Sequence, residues 1–132
     1  MNCYELKLEP HDNNVIIFVT DITTENATFR SSAPFTGKVH FQAIEPGVYN
    51  MANIGKKVEV AELDFSDSPG TTKTHNWDNA TQTFSCIPIV SATANRDVNV
   101  FITAISTSSV TVEVSENNYS GKVYLIGIER GC

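Results

Sequence analysis

The stretch GKVYLIGIERG, Gly121–Gly131, decides how this chain is read. Val123 and Leu125 fall on one side of an extended chain, and Tyr124, Ile126 and Ile128 fall on the other. Side chains alternate between the two faces of a strand, so apolar residues on both faces predict a strand buried on both sides. Nearly the same words, GKVHFQAIEPG, stand at Gly37–Gly47.

The echo extends outward. At an offset of 83, residues 1–32 align with 84–115; one extra residue, Glu116, moves the offset to 84 for the remainder. Cys3 meets Cys86, Val15 meets Val98, Phe18 meets Phe101, and Thr20, Ile22, Thr24, Thr28 and Ser32 also meet identical partners. Fourteen of 47 pairs are identical with a single gap. The segment VIIFVTDI (15–22) faces VNVFITAI (98–105), and ATFR (27–30) faces VTVE (110–113). The in–out phase is kept in each pair. A one-residue slip would invert every side chain, so conserved phase weighs more than identity. The expectation is a duplicated four-strand unit, 1–47 and 84–131. Each copy runs from an opening strand after Cys, through a long strand and a short amphipathic one, to the closing GKV strand. Four strands bury little core alone, so two copies should pack together or across subunits.

The rest of the chain agrees with an all-β class, an antiparallel β-sandwich. Val110, Val112 and Val114 alternate with Thr111 and Glu113, a period of two. KVEVAELDF (57–65) reads as a further strand, and the polar SDSPGTTKTHNWDNATQT (66–83) as an exposed loop. No window has helical periodicity, so no long helix is expected. The division expected is an N-terminal repeat copy, residues 1–50, and a C-terminal sandwich, residues 51–132, with a shared core left open.

Composition narrows function. The 132 residues carry a net charge of −6, with 41% hydrophobic and 18% charged residues. That is a globular balance. Nucleic acid is not an expected partner, because no Lys/Arg cluster could release counterions. No apolar run is long enough to span a bilayer, and the start, MNCYELKLEPHDNN, has neither the basic nor the apolar region of a signal peptide. The protein is therefore expected in a reducing cytosol until something moves it. Cys3, Cys86 and Cys132 make an odd set without CxxC spacing, read as small buried hydrophobes plus one loose terminal thiol. No metal or cofactor is expected. His11, His40 and His75 are scattered, no nucleophile, zinc or phosphate-loop motif occurs, and the chain is not expected to be an enzyme. The sequons at Asn26, Asn79 and Asn118 are read as chance in a chain rich in Asn, Ser and Thr.

From FSCIPIV (84–90) onward a more specific pattern emerges. A strand ending in P-x-V is followed by a polar loop at Asn95, Arg96 and Asp97. Then come a V/I-alternating strand, an ST-x-x-x-T-V turn and strand, and a closing V-x-L-I-G-I strand. Over about residues 56–131 this resembles the H-type lectin domain and its relatives at bacteriophage tail-fibre and tail-spike tips. The resemblance implies a six-stranded antiparallel sandwich that usually trimerises, with sugar held at subunit edges. Its sugar loops would be Asn95, Arg96 and Asp97, and Asn117, Asn118 and Tyr119. Planar polar groups can bind hydroxyls and an aromatic face can take a sugar ring. The animal lectins carry a tryptophan motif in the second loop, where this chain has Glu-Asn-Asn-Tyr. These residue types also serve ordinary turns.

His75, Trp77 and Asp78 form a third candidate. The single tryptophan lies in a polar stretch, suited to sugar stacking or a protein contact if exposed, and to the core if a strand begins there. Two functions follow as expectations. One is a non-enzymatic virion protein of a bacteriophage, decorating or cementing the capsid or associated with the tail. The other is a receptor-binding tip, or small lectin, for host-surface glycan. Either would be assembled in the host cytoplasm and shown on the virion surface, beside other virion proteins and as a homo-oligomer, trimer favoured.

Overall fold

A computed structural model describes residues 15–51 and 56–132. Nine strands and no helix form among them: β1 (Ile17–Ile22), β2 (Ala27–Ser31), β3 (Gly47–Met51), β4 (Lys56–Asp64), β5 (Thr72–Asn76), β6 (Ile89–Ala94), β7 (Val100–Ile105), β8 (Ser109–Val114) and β9 (Lys122–Ile128). All pairings are antiparallel. β3-β4-β9-β6 make one sheet, β5-β8-β7 a second, and β1-β2 a separate hairpin.

Alternation builds the core. β4 turns Ala61 and Leu63 inward and continues to Phe65; β9 turns Val123 and Leu125; β8 turns Val110, Val112 and Val114. These faces meet in one cluster closed by Trp77, Phe84, Ala94, Val98 and Tyr119, the arrangement of a sandwich. The outer side of β9 is less covered than its sequence predicts. Tyr124 and Ile126 are half-buried and Ile128 is 45% exposed.

The two long hairpins are alike bond for bond. Ile17–Ile22 pairs with Ala27–Ser31 as Val100–Ile105 pairs with Val110–Val114, each with one bulge, at Thr20 and at Thr103. Each bulge threonine donates its hydroxyl, to Thr28 O and to Thr111 O. The turns match as well: Thr23 N donates to Asn26 O, as Ser106 N does to Ser109 O, both at 2.8 Å. The bases match too, with Ile16 N on Ser32 Oγ and Asn99 N on Ser115 Oγ, both at 2.9 Å.

The likeness stops at the hairpin. Lys122–Ile128 is a strand, but the matching Lys38–Ile44 is not; it holds a single bridge residue. Pro34 and Pro46 flank that segment and cannot donate to a ladder. The opening strand of the first copy, with Cys3, lies outside the described residues. The expected division after residue 50 falls inside β3, which pairs with β4 in the main sheet.

Two further expectations are corrected. The stretch 66–83 is not all loop: it contains β5, whose Thr72, Thr74 and Asn76 face solvent while Lys73 and His75 point inward. Cys86 and Cys132 are not unpaired thiols but a disulfide, with Cα atoms 6.0 Å apart. Among the described residues no helix is long and apolar enough to cross a membrane.

Candidate functional site

The candidate residues gather in two places. The first is a buried polar cluster at one end of the sandwich. β4 carries Lys57 and Glu59 on its inward face, where alternation would place apolar residues. The Lys57 ammonium lies 2.8 Å from Glu59 Oε2 and donates to the carbonyl of Asp78. It also sits 4.5 Å from the centre of the Phe84 ring, over its negative face. Glu59 accepts from the Asp78 N–H and lies 2.8 Å from His75 Nε2. Burial pushes the Glu59 carboxyl up, but Lys57, His75 and the Asp78 amide outweigh it and hold the group below its ordinary value. Facing a carboxylate at that distance, His75 Nε2 must carry the hydrogen.

Glu129 seals the same end. Its Oε2 accepts from Lys57 N at 2.8 Å, and its Oε1 accepts from Ser85 N and the Ser85 hydroxyl. The Ser85 contacts first, then the Lys57 amide, hold its carboxyl low. Trp77 is 4% exposed, donates Nε1–H to Ser106 O and meets His75 and Phe84 edge to face. Trp77 is therefore core and offers no free face to a sugar. The Asp78 side chain is exposed and accepts from Ala80 N, a turn contact. Among the described residues no buried side-chain nitrogen or oxygen lacks a hydrogen-bond partner, so the buried part of this cluster serves as scaffold.

The second place brings together the two polar loops. Tyr119 is wholly buried, edge to face with Phe65, so its ring is not available either. Its hydroxyl lies 2.8 Å from both Asn95 Oδ1 and Lys122 O, and Asn95 Oδ1 also accepts from Lys122 N. Burial raises the Tyr119 phenol, which keeps it a donor. Gly121 makes this lock possible: a Cβ there would lie 2.4 Å from Asn95 Oδ1 and 2.5 Å from the Tyr119 hydroxyl. The Arg96 guanidinium stands 5.6 Å from the Tyr119 ring centre, 3.6 Å from Glu116 Oε1 and 3.2 Å from Ser120 Oγ. Asn117 and Asn118 are exposed at the β8–β9 turn, where Asn118 has φ 56°, a conformation asparagine tolerates.

Asn95, Arg96 and Asp97 form one wall of a shallow open groove of about 410 Å³. The β1–β2 hairpin forms the other, with Phe18, Thr20, Arg30, Ser31 and Ser32. Residues bearing hydroxyl, guanidinium, carboxylate and aromatic groups are thus brought together from segments about 65 residues apart. Asn117, Asn118 and Tyr119 do not line it. Sequence reasoning found the first wall and missed the second, along with Lys57, Glu59 and Glu129.

No protein-family model, curated protein or solved structure matches the chain.

Proposed function

We propose that the chain is a non-catalytic surface component of a bacteriophage particle that holds a host-surface glycan in the groove between the β1–β2 hairpin and the Asn95–Asp97 loop. The groove is the observation that carries this reading. It is shallow, open and lined by the polar groups that pair with sugar hydroxyls. The Cys86–Cys132 disulfide supports a working place outside a reducing cytosol. Six strands over residues 56–131, three in each of two sheets apart from β3, are what the H-type lectin resemblance leads one to expect. The test is a pull-down of cells and a glycan panel by the protein displayed densely on beads, since weak single sites register through multivalency. Saturable capture, competed by free sugar and lost in Arg96→Ala/Asp97→Ala, is expected. Capture that survives both changes would sink the groove as the site.

A second reading, assembly into the particle through copies of the chain, rests on a different observation. Tyr49, Val58, Ile128 and Ile89 lie side by side across β3, β4, β9 and β6 on the sheet's outer face. Tyr49, Ile128 and Ile89 are 38%, 45% and 62% exposed. Such a row suits an apolar contact between protomers.

A further inference from the structure

We infer that the groove selects carboxylate-bearing sugars, with Arg30 as the selecting residue and Arg96 as its fixed partner. This rests on the glycan reading of the groove and adds the ligand's charge.

The comparison of the two hairpins carries the inference. They share register, bulge, turn and base hydrogen bonds, so the scaffold places the same demands on matching positions. Phe18, Thr20 and Arg30 of the first hairpin match Phe101, Thr103 and Glu113 of the second. Phe and Thr are kept, and the charge is reversed. The fold therefore accepts an acid at this slot. The first hairpin faces the Asn95–Asp97 loop across a groove, and there the slot holds a base.

The local charge runs against that of the whole chain. The chain has 15 acidic residues against nine Lys and Arg, yet this groove is lined by two arginines and one aspartate. Arg96 is steadied by Glu116, Ser120 and the Tyr119 ring. Arg30 is exposed and makes no ion pair with any described residue. An exposed guanidinium on one wall and an ion-paired one on the other give the groove two planar donor forks, the groups that suit a carboxylate. Asp97 remains to accept from hydroxyls, as does the Thr20 oxygen, and the Ser32 hydroxyl can still donate.

The test uses the whole chain on beads and an oligosaccharide containing glucuronate, against its carboxyl-reduced form in which each glucuronate has become glucose. Wild type is expected to bind the acidic form at least tenfold more tightly. Arg30→Glu, which installs what the second hairpin carries, should abolish that preference, and Arg30→Lys should keep part of it. Unchanged melting checks that both variants fold. Equal binding of both oligosaccharides, with competition by free sugar, would overturn the inference and leave the glycan reading standing. A preference that survives Arg30→Glu would remove Arg30 as its source. No saturable binding to any member of the panel would remove the inference and the glycan reading together.

Discussion

Lys57 and Glu59 stand two residues apart on the same face of β4, pointing into the sandwich, and their side chains pair at 2.8 Å with almost no exposure. Each charge is held in the interior by the other, with His75 and the Asp78 backbone adding to it. Breaking a buried pair by removing one member costs about 3–5 kcal/mol, whereas replacing both with apolar residues of similar volume can be neutral. Glu59→Ala should therefore lower unfolding stability by an amount in that range. Lys57→Met/Glu59→Leu should recover most of it. Urea midpoints of the wild type, the two single variants and the double variant test this. A double variant as weak as the worse single one would show that His75 and the Asp78 amide, not the ion pair, set the cost.

Acid should unfold the protein through Glu59 and Glu129. Both carboxyls are held below the ordinary glutamate value of 4.5. Below that value the unfolded chain binds protons that the folded chain resists, so stability rises with pH there. The contribution is present above about pH 4.5 and is lost as pH falls through the folded-state values. Urea midpoints at pH 7, 5 and 3.5 should hold between the first two and fall at the third. Glu129→Gln should flatten the fall while lowering the neutral-pH midpoint.

Gly121→Ala should be costly despite its small change in volume. The new methyl would meet Asn95 Oδ1 and the Tyr119 hydroxyl at less than van der Waals distance, and overpacking of this kind costs about 1–3 kcal/mol. Tyr119→Phe alone removes a hydroxyl whose partners keep other bonds, so about 1 kcal/mol is expected. Combined with Gly121→Ala, it should cost less than the two losses added together. Strict additivity in thermal melts would mean that the clash is relieved elsewhere.

Reduction should weaken the fold without destroying it. A cross-link between residues 46 apart removes loop-closure freedom worth about 4 kcal/mol from the unfolded chain. Cys86→Ser/Cys132→Ser should melt at lower temperature and lose any response to reductant. Identical melts of wild type with and without reductant would show that the bond is not formed in solution.

Protomer contact has its own readout. Ile89→Lys/Ile128→Lys puts two charges into the exposed apolar row and should shift sedimentation towards the monomer. No change in a protein that does oligomerise would place the contact on another face.

Much of the fold could be read where local alternation and burial agree, as in the three inward valines of β8 and the matched hairpins. β5 could not, because its inward residues are Lys73 and His75, whose partners Asp64 O and Glu59 are distant in sequence. Inward charges on an edge strand look like loop until those partners are known. The same holds for the buried Lys57 and Glu59, hidden in a strand that alternation assigns correctly. The cysteine pairing could not be read because spacing does not specify connectivity. Half of the groove was legible, since Asn95–Asp97 form one continuous loop. Arg30 was not, because nothing local ties it to a loop 65 residues away. For Trp77 the sequence left an exposed contact and a core position both open, and for Tyr119 it suggested a loop contact: their polar neighbours reflect turns on the surface, while both rings turn inward.

The disulfide also determines how the protein bears load. A pull applied at Cys132 passes directly to Cys86, so the four strands from β6 to β9 lie outside the line of force. β9 cannot be unzipped from its C-terminal side while the bond is intact. Tension between Cys132 and the strands before Cys86 must instead be carried by that earlier segment, where β4 is held along its length by β9. The bond therefore divides the groove: its Asn95–Asp97 wall lies within the sheltered loop, its β1–β2 wall lies on the loaded stretch, and the cross-link acts as a mechanical fuse set by redox state.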